Sequence, residues 1–346
     1  MEINDKVKNL IFFCEGGIGK NISSTAVIRA IKKAHPTKNI IAVAGCPEVF
    51  MHNPNVKRTF HFGNALHFFE DWINEESQVI RTEPYMHYDY INKTKHVVEC
   101  WCEQIGVPFD GIEPDFYFTP NEIEAAKLFT EELTDGGATE LVLMQWIGGS
   151  VPDKPGDHKQ LKEKLASMYR RAMPVEQAQK VVDYLTDERG WTVINVAHGN
   201  MPQLKNCKSP FFPIRAVISL LTQAKMFVGI DSFLQHAAAA KQINKKGVVV
   251  WGGTSKTCLG YDLHTNLEIE ACITPACHRP NSYLMDVQAN GQMWDCPYGE
   301  PCMKRELKDI IKAVEEIVPF NKKDVKKVKK IPKVMNVPVF DKKCCN

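Results

Sequence analysis

The sequence predicts an α/β protein of two Rossmann-like, doubly wound lobes, for two reasons. Its 346 residues are too many for one ordinary compact core and suit two domains of about 150 residues each. In addition, short apolar runs that end at glycine turns alternate with stretches of helical spacing in both halves of the chain. This alternation is typical of βαβ units, in which a helix covers each crossover between parallel strands.

The first lobe is predicted over residues 1–125. Leu10–Cys14 is an apolar run that precedes a glycine loop, and helical spacing follows between Ile22 and Lys33. Asn39–Ala44 supplies the next apolar run, which completes the order strand, loop, helix and strand. Residues 60–107 are rich in aromatic residues and histidine but lack a clear period. We interpret this segment as an insertion on the first lobe, although its aromatic residues could equally pack a core.

The second lobe is predicted over residues 126–320. A strand is expected to end between Asp115 and Pro120, and Asn121 is the expected cap of the following helix. A later helix is expected to begin with Pro174 and to end before Gly190. The strands are expected at Leu141–Gln145, Trp191–Ala197, Met226–Gly229 and 247–250, and the helices at Pro174–Arg189, Ile214–Ala224 and Glu306–Val318.

The composition is that of an ordinary soluble globular protein, with 44% hydrophobic and 24% charged residues. No apolar run approaches the roughly 18 residues that a membrane-spanning helix needs. The amino terminus is charged and lacks the apolar core of a signal peptide. We therefore expect a cytoplasmic protein without a membrane span.

The chain contains twelve cysteines, several of which lie close together near the carboxyl terminus. Cys272, Cys277, Cys296 and Cys302, with His278 nearby, could supply a tetrahedral zinc site. Their spacings lack the paired C-x-x-C pattern that identifies such a site. We expect no metal there and expect the remaining cysteines to be reduced, small apolar residues.

Residues 321–346 form a basic tail in a chain whose formal net charge is only +2. Charge runs of this kind are most often solvated, flexible ends. A second possibility is that the tail holds a polyanionic acceptor such as DNA through phosphate contacts, with an affinity that falls as salt rises.

The most informative stretch runs from Val228 to Ala240 and continues at Gly247–Thr254. An apolar run stops at a polar Asp-Ser pair, an alanine-rich helix follows, and a second apolar run ends in a Trp-Gly-Gly-Thr turn. This order places a carboxylate, hydroxyls and backbone N–H groups at the carboxyl end of parallel strands, where open α/β sheets bind ligands. The stretch therefore predicts a nucleotide-type pocket.

This stretch resembles the donor-site signature of the heptosyltransferase-like glycosyltransferases, family nine. The residues that carry the resemblance are Gly229, Asp231, Ser232, His236, Ala237, Ala238, Trp251, Gly252 and Thr254. The amino terminus is similar to that family's first strand, glycine loop and helix, with the loop at Gly16–Gly19. The resemblance implies a GT-B fold, in which two Rossmann-like lobes face a cleft, with the donor on the second lobe and the acceptor on the first.

The resemblance also implies a set of site residues. Asp231 is expected to act in catalysis, and no cofactor is expected beyond the nucleotide-diphosphate sugar that serves as donor substrate. The residues expected to bind this donor are Gly17, Gly19, Ser150, Lys154, His198, Gly199, Asp231, Ser232, Phe233 and His236. Among these, the loop with Ser150 and Lys154 is expected to contact the donor phosphates, whose charge donors from the protein can stabilise without a metal.

The general base is the point at which the sequence departs from its relatives. Many of them have an aspartate directly after the second glycine of the first loop, whereas this chain has Lys20. A lysine is protonated at neutral pH unless it is strongly desolvated, so it suits phosphate binding better than proton removal. Glu15 is the nearest replacement in the same loop, and Asp71 and Asp110 are further candidates.

We expect an inverting, metal-independent glycosyltransferase that moves a hexosyl, heptosyl or pentosyl group to a hydroxyl acceptor. A saccharide of the lipopolysaccharide type is the expected acceptor. Hydroxymethylated bases of viral DNA are the alternative, because they would explain Lys20, the aromatic segment and the basic tail. A third possibility is a protein that binds nucleotide sugars but lost catalysis together with the aspartate.

Overall fold

Two parallel β-sheets organise the protein. The computed structural model describes residues 2–148, 171–196, 203–210, 212–268, 303 and 305–320. Within these ranges the first sheet contains β1 (Asn9–Cys14), β2 (Asn39–Ala44), β3 (Arg58–His61) and β4 (Ser77–Ile80). The second contains β5 (Leu141–Met144), β6 (Thr192–Asn195), β7 (Met226–Ile230), β8 (Gly247–Val250) and β9 (Thr265–Leu267). Every pairing between these strands is parallel, which confirms the predicted α/β class.

The helices lie between the strands in the order that βαβ units require. They are α1 (Ile18–Ala34), α2 (Phe68–Trp72), α3 (Tyr88–Ile91), α4 (Val97–Ile105), α5 (Pro120–Leu133), α6 (Val175–Asp183), α7 (Ile214–Gln223), α8 (Phe233–Ala238), α9 (Lys256–Leu259) and α10 (Leu307–Ile317). A π-helical turn, Tyr184–Glu188, extends α6 toward the predicted end of that helix. Among the described helices, none combines the length and the apolar character that crossing a membrane requires.

The first sheet has the strand order β3-β2-β1-β4. Its two inner strands are almost entirely buried, as expected for a parallel sheet that is covered on both faces. Phe12 pairs in register with Ile80, so the residues that follow β1 and β4 emerge side by side at the carboxyl edge. The second sheet has the order β6-β5-β7-β8-β9, which likewise brings the ends of β5, β7 and β8 together.

The segment 60–107 is only in part an insertion. It contains β4 and the end of β3, so it supplies strands to the first sheet itself. Phe68, Tyr90 and Trp101 are buried in the core, whereas Phe69 and Tyr88 are more than 70% exposed. The poor period of this segment arises because its short strands and helices alternate, so no single repeat continues for long.

The expected strand between Asp115 and Pro120 is absent, since the described residues 107–118 contain no strand. The helix that follows is capped by Thr119 rather than by Asn121. Thr119 accepts from the backbone N–H of Glu122, and the Glu122 side chain accepts from the backbone N–H of Thr119, which is a complete capping box. The predicted boundary between the lobes, after residue 125, falls inside α5, and α5 packs against α7 of the second half. The position of this boundary stays a prediction.

The two sheets are joined by close packing of α1 against α8. A Cβ atom on Gly19 would lie 3.0 Å from Cδ2 of His236 and 3.6 Å from Cα of Phe233. Ser23, one turn further along α1, contacts Nδ1 of His236 at 3.2 Å. A residue larger than glycine at position 19 would therefore have to displace the His236 ring.

Three buried histidines surround this contact. Nδ1 of His236 lies 2.9 Å from the hydroxyl of Tyr261, and Nε2 of His264 lies 3.1 Å from the carbonyl oxygen of Gln235. His96 packs on the ring of Tyr261 with a centroid separation of 5.5 Å. Burial lowers the pKa of His96 and His236 to about 3 and that of His264 to about 4. All three side chains are therefore neutral at pH 7.

A second connection between the sheets runs through Arg215 of α7. Its Nε donates to Glu122 at 2.6 Å, and its other nitrogens donate to the backbone carbonyls of Glu48, at 2.8 Å, and Tyr117, at 2.7 Å. This guanidinium lowers the pKa of Glu122 to about 2. One side chain therefore ties the second sheet to the turn after β2 and to the segment between the sheets.

The buried histidines predict a loss of stability in acid. Their ordinary pKa of 6.5 falls to between 3 and 4 in the folded protein, so the unfolded chain binds more protons below pH 6.5. Stability should be full above pH 6.5 and fall as the pH drops toward 5, by up to about 1.4 kcal/mol per pH unit for each histidine. Urea unfolding from pH 7.5 to 5 measures this slope, and His96→Gln should reduce it.

The matched control is His61→Gln, because His61 is an exposed residue and should leave the slope unchanged. A free energy of unfolding that stays constant or rises between pH 7 and pH 5 would contradict the assignment of these histidines as neutral.

Replacing Arg215 with methionine should destabilise the protein by about 2–3 kcal/mol. The change leaves Glu122 without its partner and removes donors from two backbone carbonyls, while the arginine side chain is only 11% exposed. Lys225→Met provides the control, since the Lys225–Glu140 pair is 41% and 51% exposed and should be worth less than about 1 kcal/mol. Equal effects of the two substitutions in urea unfolding would refute the connecting role of Arg215.

Candidate functional site

Asp231 lies at the carboxyl end of β7, in the turn before α8. Its side chain is 3% exposed, and Nη1 of Arg171 lies 3.9 Å from its Oδ2. That oxygen has no hydrogen-bond partner among the described residues. Burial raises the pKa of Asp231, and the charge of Arg171 partly offsets this effect. A buried carboxylate in this state can bind a ligand that supplies hydrogen-bond donors.

The turns after β5 and β8 border the Asp231 turn. Gln145, directly after β5, accepts a hydrogen bond at 3.2 Å from the backbone N–H of Leu234 in α8. A Cβ on Gly148 would lie 3.1 Å from Oγ of Ser232, so these two turns are in close contact. After β8, the indole of Trp251 donates to Asn266 at 2.8 Å and holds that turn in place.

Several buried polar atoms at this edge lack a hydrogen-bond partner within the described part of the chain. Besides Asp231 Oδ2, they include Gln235 Oε1 and Trp146 Nε1, whereas the Thr254 hydroxyl lies close enough to Asp231 to lower the pKa of that carboxyl. Folded proteins leave few such atoms unsatisfied, and each one identifies a place for a further polar group. These residues follow β5 and β7, so the carboxyl edge of the second sheet is the strongest candidate binding site.

The glycine loop lies at the carboxyl edge of the first sheet and is held by Asn21. The amide nitrogen of Asn21 donates to the carbonyls of Gly16, at 3.1 Å, and Gly17, at 2.9 Å. Gly16 has φ +107°, and a Cβ on Gly45 would lie 2.7 Å from the Gly16 carbonyl, so the loop and the turn after β2 touch through backbone atoms. A Cβ on Gly17 would meet no described atom within 4 Å, so that side of the loop is open.

Lys20 does not extend freely from this loop. Its side chain is 9% exposed, and its Nζ lies 2.7 Å from Oε2 of Glu83. The same ammonium lies 5.1 Å from the ring centroid of Tyr85 and 5.6 Å from that of Trp101, within the range of cation–π contacts. The structure therefore places the predicted phosphate-binding lysine in an aromatic pocket against a carboxylate.

Glu15 forms a more exposed pair on the same edge. Its Oε1 lies 2.5 Å from Nη2 of Arg81, with the glutamate side chain 38% and the arginine side chain 64% exposed. Asp110, a further candidate base, is bound to Arg29 at 3.3 Å and to Lys33 at 2.6 Å. Because Arg29 comes nine residues after Lys20 on α1, it lies about 14 Å further along the helix, and Asp110 is remote from the loop.

The residues that follow β4 lie between the carboxyl edge of the first sheet and that of the second. Tyr85 packs on Tyr90 with a centroid distance of 5.0 Å. The pKa of Tyr85 is raised by burial and by the negative charges of Asp231 and Glu83. The phenol of Tyr85 therefore lies near Asp231 of the second sheet and near the Lys20–Glu83 pair of the first. Arg171, Glu83 and Tyr85 are site residues that sequence reasoning did not identify.

The remaining predicted residues have different placements. Ser232 and Phe233 lie in the turn and first helical residue after Asp231, whereas Gly19 and His236 lie at the packing contact between α1 and α8. Nε2 of His236 nevertheless lies 3.9 Å from Oδ1 of Asp231, so the histidine is close to the Asp231 turn as well as to α1. Ser150, Lys154, His198 and Gly199, the zinc candidates of the carboxyl-terminal region and the basic tail lie outside the described residues.

One group of side chains on the first-sheet side offers metal-ligand atoms close together. His87, Asp89 and Glu103 place one ligand atom each within 4.8 Å of one another. Lys95 already lies 3.1 Å from Asp89 and 2.6 Å from Glu103, and hydrogen bonds from Thr94 and Lys95 lower the pKa of Asp89. The ammonium group of Lys95 thus already compensates the negative charges of Asp89 and Glu103.

No protein-family model matches the sequence, and no curated protein matches it. Solved structures, by contrast, share its fold over most of the chain. A family-nine glycosyltransferase from Veillonella parvula gives a TM-score of 0.61 at 14% identity and covers 92% of this chain and 99% of its own. The E. coli ADP-heptose lipopolysaccharide heptosyltransferase II gives a TM-score of 0.54 at 14% identity, with coverages of 81% and 99%.

The iron-containing dodecameric glycosyltransferase TibC from enterotoxigenic E. coli gives a TM-score of 0.55 at 10% identity and covers 92% of this chain and 77% of its own. At these identities the likeness concerns the fold. The resemblance inferred from the glycine loop and the Asp231 turn is thus confirmed at that level: the chain has the fold of the family-nine glycosyltransferases.

Proposed function

We propose that the protein is a glycosyltransferase that uses a nucleotide-diphosphate sugar. The observation that carries the proposal is the buried Asp231 beside Arg171, with an oxygen that lacks a hydrogen-bond partner among the described residues, at the carboxyl edge of the second sheet. The sheet edges form the two sides of a GT-B cleft, with the donor on the second-sheet side and the acceptor on the first. Open α/β sheets bind nucleotides at this edge, which supports the proposal.

Arg171 is the residue that we assign to the donor phosphates. Its side chain is 40% exposed and always charged, and its guanidinium can bind two phosphate oxygens at once. A fixed cation next to the leaving diphosphate stabilises the negative charge that develops as the sugar departs. Ser150 and Lys154 are proposed to complete the phosphate site, so that protein cations perform this task without a metal.

Asp231 suits the sugar better than the phosphates, because a carboxylate would repel the diphosphate. Its free Oδ2 can accept a hydrogen bond from a sugar hydroxyl, and this bond would fix the sugar relative to Arg171. The hydroxyl of Thr254, in the turn after β8, is close to Asp231 and offers a further contact for the donor.

The proposed reaction inverts the anomeric carbon. The acceptor oxygen forms a bond to that carbon on the face opposite the diphosphate, while the bond from the carbon to the phosphate oxygen breaks. The electron pair of that bond leaves with the nucleoside diphosphate, and the acceptor proton passes to a base. A structure of the same fold is described as a lipopolysaccharide heptosyltransferase, which favours a saccharide acceptor and makes ADP sugars the first donors to test.

The first prediction of the proposal is donor turnover. With uridine, adenosine or guanosine diphosphate sugars, the protein should release the nucleoside diphosphate slowly in water and faster with a saccharide acceptor. Donor binding without release would indicate a binding protein, and transfer to hydroxymethylated DNA in place of saccharide would indicate the DNA acceptor. If none of these sugars releases a nucleoside diphosphate, the proposed glycosyltransferase function is refuted.

Asp231→Asn should lower kcat/KM for the donor at least about 100-fold, because the neutral amide cannot hold the sugar as the buried carboxylate does. The matched control is Asp262→Asn, since Asp262 is 92% exposed and pairs only with Lys256 in the described part of the chain. The two variants should have the same thermal midpoint within a few degrees, and wild-type turnover by Asp231→Asn would contradict the placement of the sugar.

Arg171→Ala should raise the dissociation constant of the donor about 10- to 100-fold, which corresponds to the loss of a charge-assisted bidentate contact. Isothermal titration with the donor identified above measures the change. Arg58→Ala removes an exposed arginine from the edge strand β3 and should leave the affinity unchanged. Equal affinities of Arg171→Ala and wild type would exclude the assigned phosphate contact.

A further inference from the structure

We propose that Glu83 is the general base of the transfer reaction and that Lys20 positions it. The inference rests on the proposed glycosyltransferase function and names the residue that removes the proton from the acceptor. Glu83 lies 63 positions from Lys20 in the sequence, and only the pairing of β4 with β1 brings the two side chains together.

The fold places Glu83 where a base is required. Glu83 follows β4 by three residues, at the same sheet edge as the glycine loop that follows β1. Its carboxylate is bound to Lys20, the third residue of α1, and it therefore lies beside the first turn of that helix. The neighbouring Gly17 has open space on its side-chain face among the described residues, so an acceptor could approach there.

The Lys20–Glu83 pair lies next to the proposed donor site. Gly19, adjacent to Lys20, packs against the backbone of Phe233, two residues after Asp231. Tyr85, which follows Glu83 by two residues, carries the Lys20 ammonium over its ring at 5.1 Å. Burial raises the pKa of Tyr85 most, and the charges of Asp231 and Glu83 raise it further, so both carboxylates act on this phenol.

The bonding of Glu83 fixes the carboxylate and leaves it room to react. Oε2 receives the Lys20 ammonium at 2.7 Å, and Oε1 receives the backbone N–H of Tyr85 at 3.3 Å, a long hydrogen bond. A carboxylate has about four lone-pair positions, so an acceptor hydroxyl can still bind either oxygen. The side chain is 45% exposed while its lysine partner is 9% exposed, which combines access with a rigid support.

The other described carboxylates near the two sheet edges are less suited to the task. Glu15 pairs with Arg81, whose side chain is 64% exposed, and such surface pairs hold a carboxylate only weakly. Asp231 is 3% exposed and is assigned to the sugar. Asp110 is bound to two cations further along α1, at Arg29 and Lys33.

In the proposed step the acceptor O–H bond breaks and its proton moves to an oxygen of Glu83. The electron pair of that bond forms the new bond between the acceptor oxygen and the anomeric carbon. The pair from the broken bond between the sugar and the phosphate leaves with the nucleoside diphosphate. Lys20 touches none of the reacting atoms, and its role is to hold the carboxylate against the rings of Tyr85 and Trp101.

The test compares wild type with Glu83→Gln, using the nucleotide sugar that wild type turns over. Water and saccharide acceptors carry a proton that a base must remove, whereas azide is an anion that attacks without losing a proton. Glu83→Gln should lower turnover with water and saccharide by about 10²- to 10⁴-fold and leave the donor dissociation constant unchanged. Sodium azide should restore nucleoside diphosphate release, with the glycosyl azide detected by mass spectrometry.

Three further variants test the positioning role of Lys20 and control for a general effect of replacing a charged residue. Lys20→Met should lower turnover with water and saccharide, Lys20→Arg should retain most of it, and azide should restore release in Lys20→Met. Glu124→Gln, an exposed glutamate on α5, is the matched control and should behave as wild type. If Glu83→Gln fails to fold, Glu83→Asp replaces it and should be reduced about tenfold, because its carboxylate is retracted by one methylene.

The outcomes are distinguishable. If wild type turns over no nucleotide sugar, the proposed function itself fails. If wild type is active and Glu83→Gln keeps its rate, or loses rate without recovery in azide, Glu83 is not the base. If Glu15→Gln is the variant that loses rate and recovers in azide, the base is Glu15 and the inference is overturned.

Discussion

The close packing of α1 against α8 is the constraint on which the remainder of the structure depends. Gly19 has no side chain, so the ring of His236 can approach the helix, and Ser23 and Tyr261 then bind its Nδ1 atom. This contact holds together the carboxyl edges of two parallel sheets that are far apart in sequence. Such edges bind ligands in α/β proteins. The contact between α1 and α8 therefore fixes the position of the glycine loop relative to the Asp231 turn.

The candidate site separates two carboxylates by environment. Asp231 is buried with a raised pKa and one oxygen free of hydrogen bonds from the described residues, a state that a bound polar ligand would relieve. Glu83 is half-exposed and anchored by a buried lysine, a state that suits exchange of a proton with an entering acceptor. Two carboxylates in different environments can perform different tasks within one site. At Lys20, where the resembling family has an aspartate, the structure thus places a lysine bound to the carboxylate of Glu83.

Much of the fold follows from local patterns in the sequence. The runs Asn39–Ala44 and Leu141–Met144 are apolar because both faces of each parallel strand are covered, so they could be predicted as strands. The Asp231 turn could be predicted because a polar pair directly follows such a run. Two contacts could not be predicted from the sequence: the Glu83–Lys20 pair and the proximity of Arg171 to Asp231. They depend on tertiary contacts across 63 and 60 residues, respectively. His236 has a donor-site pattern in the sequence, yet tertiary packing directs its ring toward Ser23 and Tyr261.

The most direct test of the central claim is a crystal structure of the protein with uridine, adenosine or guanosine diphosphate, whichever binds most tightly. The diphosphate should lie within hydrogen-bond distance of Arg171, at the carboxyl edge of the second sheet. Open space for a sugar should lie between Asp231 and Glu83. A nucleotide bound at another surface, or a diphosphate that contacts neither Arg171 nor the turns after β5, β7 and β8, would contradict the central claim.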